Sequence, residues 1–310
     1  MEFNIIKLTL GIGTSNRAAL SRRLLLAGEE YADACKKSVC QSAARNCAGC
    51  SAYNRCDWQL VFGQQLSVDP EALRRHQKPP LPFVLTIPKP DKTPDPAGVL
   101  ECGMVVVGRA INCLEMLLNG FKTLLTGKKS PLGSALLHTD ARDYQGNRYP
   151  LENAGGLSQA GNLVVMSMEG ILDSCPRECP DLTIRLLSPL RLVVQGRQLN
   201  LFDFSLFVRS IMRRVSSLAY YYCGYEFNGD FRALSSLAHT VVCREDHFVT
   251  VGDGSWKTAG IQGYGCFNGD LGGLLPFLML GSHVHAGKNA AFGMGAYELD
   301  FTSSTASAPV

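Results

Sequence analysis

Residues 274–299 hold the densest set of groups able to do chemistry: His283, His285 and Lys288, set among Gly287, Gly293 and Gly295. Glycine admits positive φ and close backbone approach, so such a loop can bring amide N–H groups up to a phosphate. Lys288 adds positive charge at the same place. The loop is not a Walker P-loop, because Asn289 follows Lys288 where that motif needs serine or threonine. Histidine titrates near neutrality and so suits proton transfer. In an extended segment His283 and His285 would share one face across Val284. His285 is the first choice as proton carrier, with Lys288 as the phosphate cation. Its alternative role is a hydrogen bond that shapes the loop.

Other groups compete for attention. Arg209 and Arg213 stand one helical turn apart, with Arg214 beside them, and read either as a solvated helix face or as a patch touching RNA phosphate. Cys40, Cys47, Cys50 and Cys56 include one CxxC pair and have the residue type of a tetrahedral zinc site. If they bind zinc, four thiolates close the tetrahedron and make the metal structural. His239 and His247 read as structural and surface residues. His76 and His138 remain candidates for proton transfer, and Tyr31 and Tyr53 are further ones.

The elements that must position these groups follow from composition and periodicity. The chain has 310 residues, enough for two domains, with 46% hydrophobic and only 18% charged residues, which excludes a disordered chain. The net charge of +3 permits a nucleic-acid partner without demanding one. No apolar run approaches the ~18 residues of a membrane span. Twelve cysteines are too sparse for a disulfide scaffold, and the N-terminus lacks a basic n-region, so a cytoplasmic protein with no membrane association is expected.

Strands are expected over residues 3–12, 83–87, 100–109, 134–137 and 148–151, and helices over 18–37 and 111–125. The order β, α, β, β, α, β is the ferredoxin-like pattern. The stretch 155–161 and the turn Cys175-Pro-Arg-Glu-Cys179-Pro mark a junction, so the domains are drawn as 1–172, with a cysteine-rich insert, and 173–310. The second half repeats the pattern. A strand pair over 182–194 is broken at Pro189, and a helix spans 202–221 with Phe204, Phe207, Ile211, Val215 and Leu218 as its apolar stripe. A helix over 231–242, a hairpin around Gly252-Asp-Gly254, an apolar helix, the glycine loop and a closing strand over 296–301 follow. The expected class is α+β, two tandem ferredoxin-like (βαββαβ, RRM-like) domains with a C-terminal glycine-rich loop.

Several segments then resemble one family in order: CDWQLVF, PPLPFVLTIP and VVVGRAINCLEMLL in the first half, and IRLLSPLRLVVQGR, FSLFVRSIMRRVSSLAYYY and LPFLMLGSHVHAGKNAAFGMGAYEL in the second. The chain resembles the RAMP superfamily of CRISPR-associated proteins and, more narrowly, its repeat-processing endoribonuclease, CRISPR-associated protein six. The resemblance implies metal-independent cleavage of CRISPR repeat RNA in the precursor transcript. The substrate's 2′-OH would attack, leaving a 2′,3′-cyclic phosphate and a 5′-OH, and no catalytic cofactor would be needed. His285 and Lys288 would be catalytic; Gly287, Gly293, Gly295, Arg209, Arg213 and Arg214 would bind RNA. Partners would be repeat RNA and other subunits of a CRISPR interference complex. Two other readings compete: a non-catalytic RNA-binding RAMP subunit, and a zinc-binding regulatory protein centred on the cysteines.

Overall fold

β1 (Asn4–Thr14) sits at the centre of the first sheet. Its positions Ile6, Leu8, Leu10 and Ile12 are buried, and the alternate positions Lys7, Thr9 and Gly11 lie on the opposite face. The structure is a computed structural model that describes residues 2–40, 47, 49–76, 78–89, 98–131, 133–151, 163–176, 179, 181–252 and 259–301. The glycine break at 155–161 and the far side of the Gly252-Asp-Gly254 turn lie outside the described residues.

After β1 come α1 (Arg17–Leu26), α2 (Gly28–Val39), α3 (Asp57–Phe62), α4 (Pro70–Arg75), β2 (Phe83–Thr86), β3 (Gly98–Val107), α5 (Leu114–Leu125), β4 (Ala135–Arg142), β5 (Arg148–Pro150) and β6 (Val165–Ser167). The chain continues through α6 (Met168–Leu172), β7 (Asp181–Leu190), β8 (Val193–Val194), β9 (Arg197–Gln198), α7 (Phe204–Leu218), α8 (Phe231–Thr240), β10 (Val242–Asp246), β11 (Val249–Val251), β12 (Gly260–Asn268), α9 (Leu275–Val284) and β13 (Tyr297–Phe301). Contacts divide it into two units, Met1–Ser167 with Ser217–Glu226, and Met168–Ser216 with Phe227–Val310.

In the first unit the sheet order is β2-β3-β1-β4-β5, all antiparallel, with β6 paired to the start of β1. In the second it is β10-β12-β7-β13, again antiparallel, with β11 on β12. Each unit therefore has the ferredoxin-like arrangement, its first and third strands central and adjacent. The class is α+β, two such units in tandem. Among the described residues no helix is long and apolar enough to cross a membrane.

The first core forms around Tyr31 on α2, whose ring meets Phe83 and Phe121 edge-on and whose hydroxyl donates to Leu117 O at 3.0 Å. Tyr31 is thus a core residue. Burial pushes its phenol far above the usual range, which removes it from proton transfer near neutrality. The second core forms on the α7 stripe of Phe207, Ile211 and Val215, with Phe207 edge-on to Tyr297.

Three local expectations are corrected. The helix expected over 18–37 is two, because α1 closes at Ala27, whose N–H turns back to Leu24 O, and Gly28 opens α2. β7 runs unbroken through Pro189, because the β12 register shifts there and β13 pairs only as far as Leu186, so no ladder bond needs the missing N–H. β4 does not stop at Leu137 but continues to Arg142.

Candidate nucleic-acid interface

The glycine loop joins α9 to β13 and is clamped to the second unit by its own backbone. Gly287 N–H donates to Ser210 Oγ (3.2 Å), Lys288 N–H to Arg191 O (2.9 Å), Ala286 N–H to Gly295 O (2.9 Å) and Gly295 N–H to Pro189 O (3.0 Å). Phe292, Gly293, Met294 and Ala296 also donate within the protein. The expected cradle of phosphate-facing amides is therefore not formed at these positions, because their N–H groups are engaged in holding the loop. Gly287, Gly293 and Gly295 serve the path of the backbone. What the loop presents outward is the Lys288 side chain, which is exposed.

His283 and His285 do not share a face. His283 belongs to the last turn of α9, and His285 ends the helix at φ 59°, ψ 169°. That region is essentially reserved for glycine and costs a non-glycine residue roughly 1–3 kcal/mol, tolerated only where the surroundings over-determine the conformation. The His285 ring is only 3% exposed. Its position fits a residue that fixes the turn from α9 into the loop.

The three arginines separate. Arg213 is exposed and Arg209 half-buried on α7. Arg214 Nε donates to Val284 O at 2.8 Å, capping the C-terminal end of α9 just ahead of the loop. Arg214→Ala should destabilise the second unit by about 1.5–3 kcal/mol, the usual worth of a hydrogen bond from a charged group. Thermal melting checks this, and an unchanged midpoint would show that the cap contributes nothing.

In the first unit, β1 and β4 bring a second polar group together. The register pairs Gly11 with His138, Thr9 with Asp140 and Lys7 with Arg142 on one face. A Cβ on Gly11 would stand 1.9 Å from His138 Cε1, so the imidazole lies against bare backbone. His138 is 41% exposed at its side chain, and its Nε2 is 3.7 Å from Asp140 Oδ2. Arg142 Nε donates to Thr9 Oγ1. Lys7 is shifted down by burial and then by the Arg142 charge. Arg148 holds Glu101 by two parallel bonds, which pull that carboxyl below its usual range. The sequence pattern does not single out Lys7, Arg142 or Arg148, because it ends β4 at Leu137. The usable signal is the period-2 run His138, Asp140, Arg142 around the buried Thr139 and Ala141.

His76 is buried, stacked on Tyr220 with ring centroids 4.8 Å apart, and its Nδ1 is 3.3 Å from Ser217 Oγ. Burial lowers its pKa, disfavouring the imidazolium. His239 is exposed on α8, and His247 is half-exposed, stacked on Tyr264 and 3.5 Å from Glu245. Among the described residues no three His, Cys, Asp or Glu side chains form a group that could hold a metal. Cys40 closes α2 and Cys56 precedes α3, and most of the stretch between Cys40 and Cys50 lies outside the described residues.

Residues 184–297 match the family model of the CRISPR-associated endoribonuclease Cas6, a span that runs from β7 through α7 to the end of the glycine loop. A second model, described only as an N-terminal domain, matches residues 31–136. No curated protein matches the chain in sequence. Among solved structures, a Cas6 product complex superposes with a TM-score of 0.56 at 15% identity, covering 95% of this chain and 99% of that one. Thermus thermophilus Cas6 superposes with a TM-score of 0.53 at 14% identity, covering 96% and 99%. A partial Cas6-RT-Cas1–Cas2 complex superposes with a TM-score of 0.54 at 12% identity, and there the match spans all of this chain but 48% of the other. In sequence over residues 184–297 and in fold across nearly its whole length, this chain is similar to the CRISPR-associated endoribonuclease Cas6.

Proposed function

We propose that the chain binds CRISPR repeat RNA and cuts one phosphodiester in the precursor transcript without a catalytic metal. The observation that carries this reading is the Cas6 family match over residues 184–297, which ends on a rigidly held loop with Lys288 exposed on it. The cut is a transesterification. The 2′-OH loses its proton to a base and attacks the adjacent phosphorus, and the 5′-oxygen leaves as it takes a proton. Lys288 supplies charge to an RNA phosphate held by the second unit.

The proton carrier must reach the RNA. A ring 3% exposed and locked at a strained turn is poorly placed for that, so in this reading His285 holds the loop. His138 takes one of the proton transfers. It is accessible and lies over a glycine, with Asp140 Oδ2 3.7 Å from its Nε2. Arg209 and Arg213 add phosphate contacts on α7. Other CRISPR proteins are partners in this reading, by analogy with the Cas6-RT-Cas1–Cas2 complex.

Incubating purified protein with repeat RNA from its own locus in EDTA tests the reading. One cut per repeat is expected. Binding without cutting would make the chain the non-catalytic RAMP subunit, and no binding would remove the RNA reading. Affinity should also fall roughly 20-fold between 50 and 200 mM salt, as the three single-strand phosphate contacts of Lys288, Arg209 and Arg213 imply. A flat salt response in filter binding would contradict the assigned lysine and arginine contacts.

A further inference from the structure

The first unit contains a pocket of about 150 Å³ that the reaction above does not use, lined by Tyr53, Asn54, Gln59, Gln65, Arg109 and Tyr221 among others. A cavity of that size holds one planar ring. None of its lining residues, among those described, is acidic, and Arg109 gives it one cation.

The walls are built. Gln59 on α3 is buried and donates its Nε2 to Tyr53 Oη at 3.1 Å, joining the helix to the preceding turn. Arg109 follows Gly108, which stands at φ 56°; a Cβ there would meet Tyr222 O at 2.2 Å. Only glycine lets the chain pass so close, and this sets Arg109 beside the tyrosines. Those tyrosines lie on Ala219–Cys223, a single π-helical turn after α7 that ends at Gly224 in the left-handed conformation. Such turns are rare and recur at functional sites. Tyr221 is fixed at its hydroxyl, which donates to His76 O at 2.8 Å and accepts from Ser67 N–H at 3.3 Å.

We infer that this pocket takes the base of a single extruded nucleotide of the bound RNA. The base is walled by tyrosine, its edge is read by the amides of Asn54, Gln59 and Gln65, and its phosphate is met by Arg109. The inference rests on the RNA reading above. Aromatic rings and side-chain amides are what unstacked bases need, since rings take their faces and amides their edges. Hence the first unit would select one base in the repeat while the second unit's loop holds phosphate.

The test is an abasic scan of the locus's repeat RNA, one position at a time, read as dissociation constants. Wild-type protein should lose roughly fivefold to a hundredfold at one position, the range produced by losing one base–aromatic stack. That penalty should shrink severalfold in Arg109→Ala and Asn54→Ala, both exposed residues whose replacement leaves the core untouched. Adenosine, guanosine, cytidine and uridine monophosphates are added as competitors to separate a free nucleotide from one within the chain. Intact RNA bound with a flat abasic scan overturns the inference and leaves the RNA reading standing. A penalty that persists in full in both variants also overturns it, as does displacement of a site probe by free monophosphates alongside a flat scan. Failure of wild-type protein to bind intact repeat RNA defeats the RNA reading, and the inference falls with it.

Discussion

Gly295→Ala should open the glycine loop and abolish tight RNA binding. Gly295 stands at φ 65°, where alanine costs roughly 1–2 kcal/mol. The added Cβ would also stand 1.9 Å from Ala286 O. That oxygen belongs to backbone and cannot swing aside, and the Ala286 N–H to Gly295 O bond fixes the two strands of the loop against each other. Together these should destabilise the second unit by about 3 kcal/mol or more, a melting shift of roughly 6–12 °C. Gly146 on the β4–β5 turn is the control. It has φ 85° and open space around its position, so Gly146→Ala meets the dihedral cost alone. A melting shift for Gly295→Ala no larger than that of Gly146→Ala would show that the loop yields to the new methyl group.

His138→Ala and His285→Ala should fail differently. Losing a positioned proton carrier raises the barrier without removing ground-state contacts. Single-turnover cleavage by His138→Ala should therefore drop roughly 10²-fold or more with repeat affinity nearly intact. His285→Ala should lose affinity and cleavage together, because a ring only 3% exposed acts through the shape of the loop that carries Lys288. The reverse pattern would return the proton transfer to His285. Full activity in both variants would remove histidine at these two positions from the chemistry.

The elements governed by a single period can be read from the sequence. The α7 stripe, the apolar α9 and the valine-rich β3 declare themselves because each buries one continuous face. What needs a partner distant in the chain cannot be read that way. His138 lies on Gly11 only through the β1–β4 register, and its strand looks polar because its outward face carries charge. The glycine loop is visible as a loop, yet its amides are taken up by acceptors on β7, on the turn after it and on α7. Arg214 looks like a phosphate contact in sequence because the carbonyl it caps lies far along the chain at Val284. The pocket beside Arg109 is assembled from four separate stretches, none distinctive by itself.

The central claim is that the chain cuts RNA by using the substrate's own 2′-OH. A repeat RNA carrying one 2′-deoxy nucleotide on the 5′ side of the scissile phosphate, incubated with wild-type protein in EDTA, tests it most directly. The account predicts binding equal to that of the all-ribose RNA and no cut at that bond. Cleavage of the deoxy substrate at the same bond would contradict it.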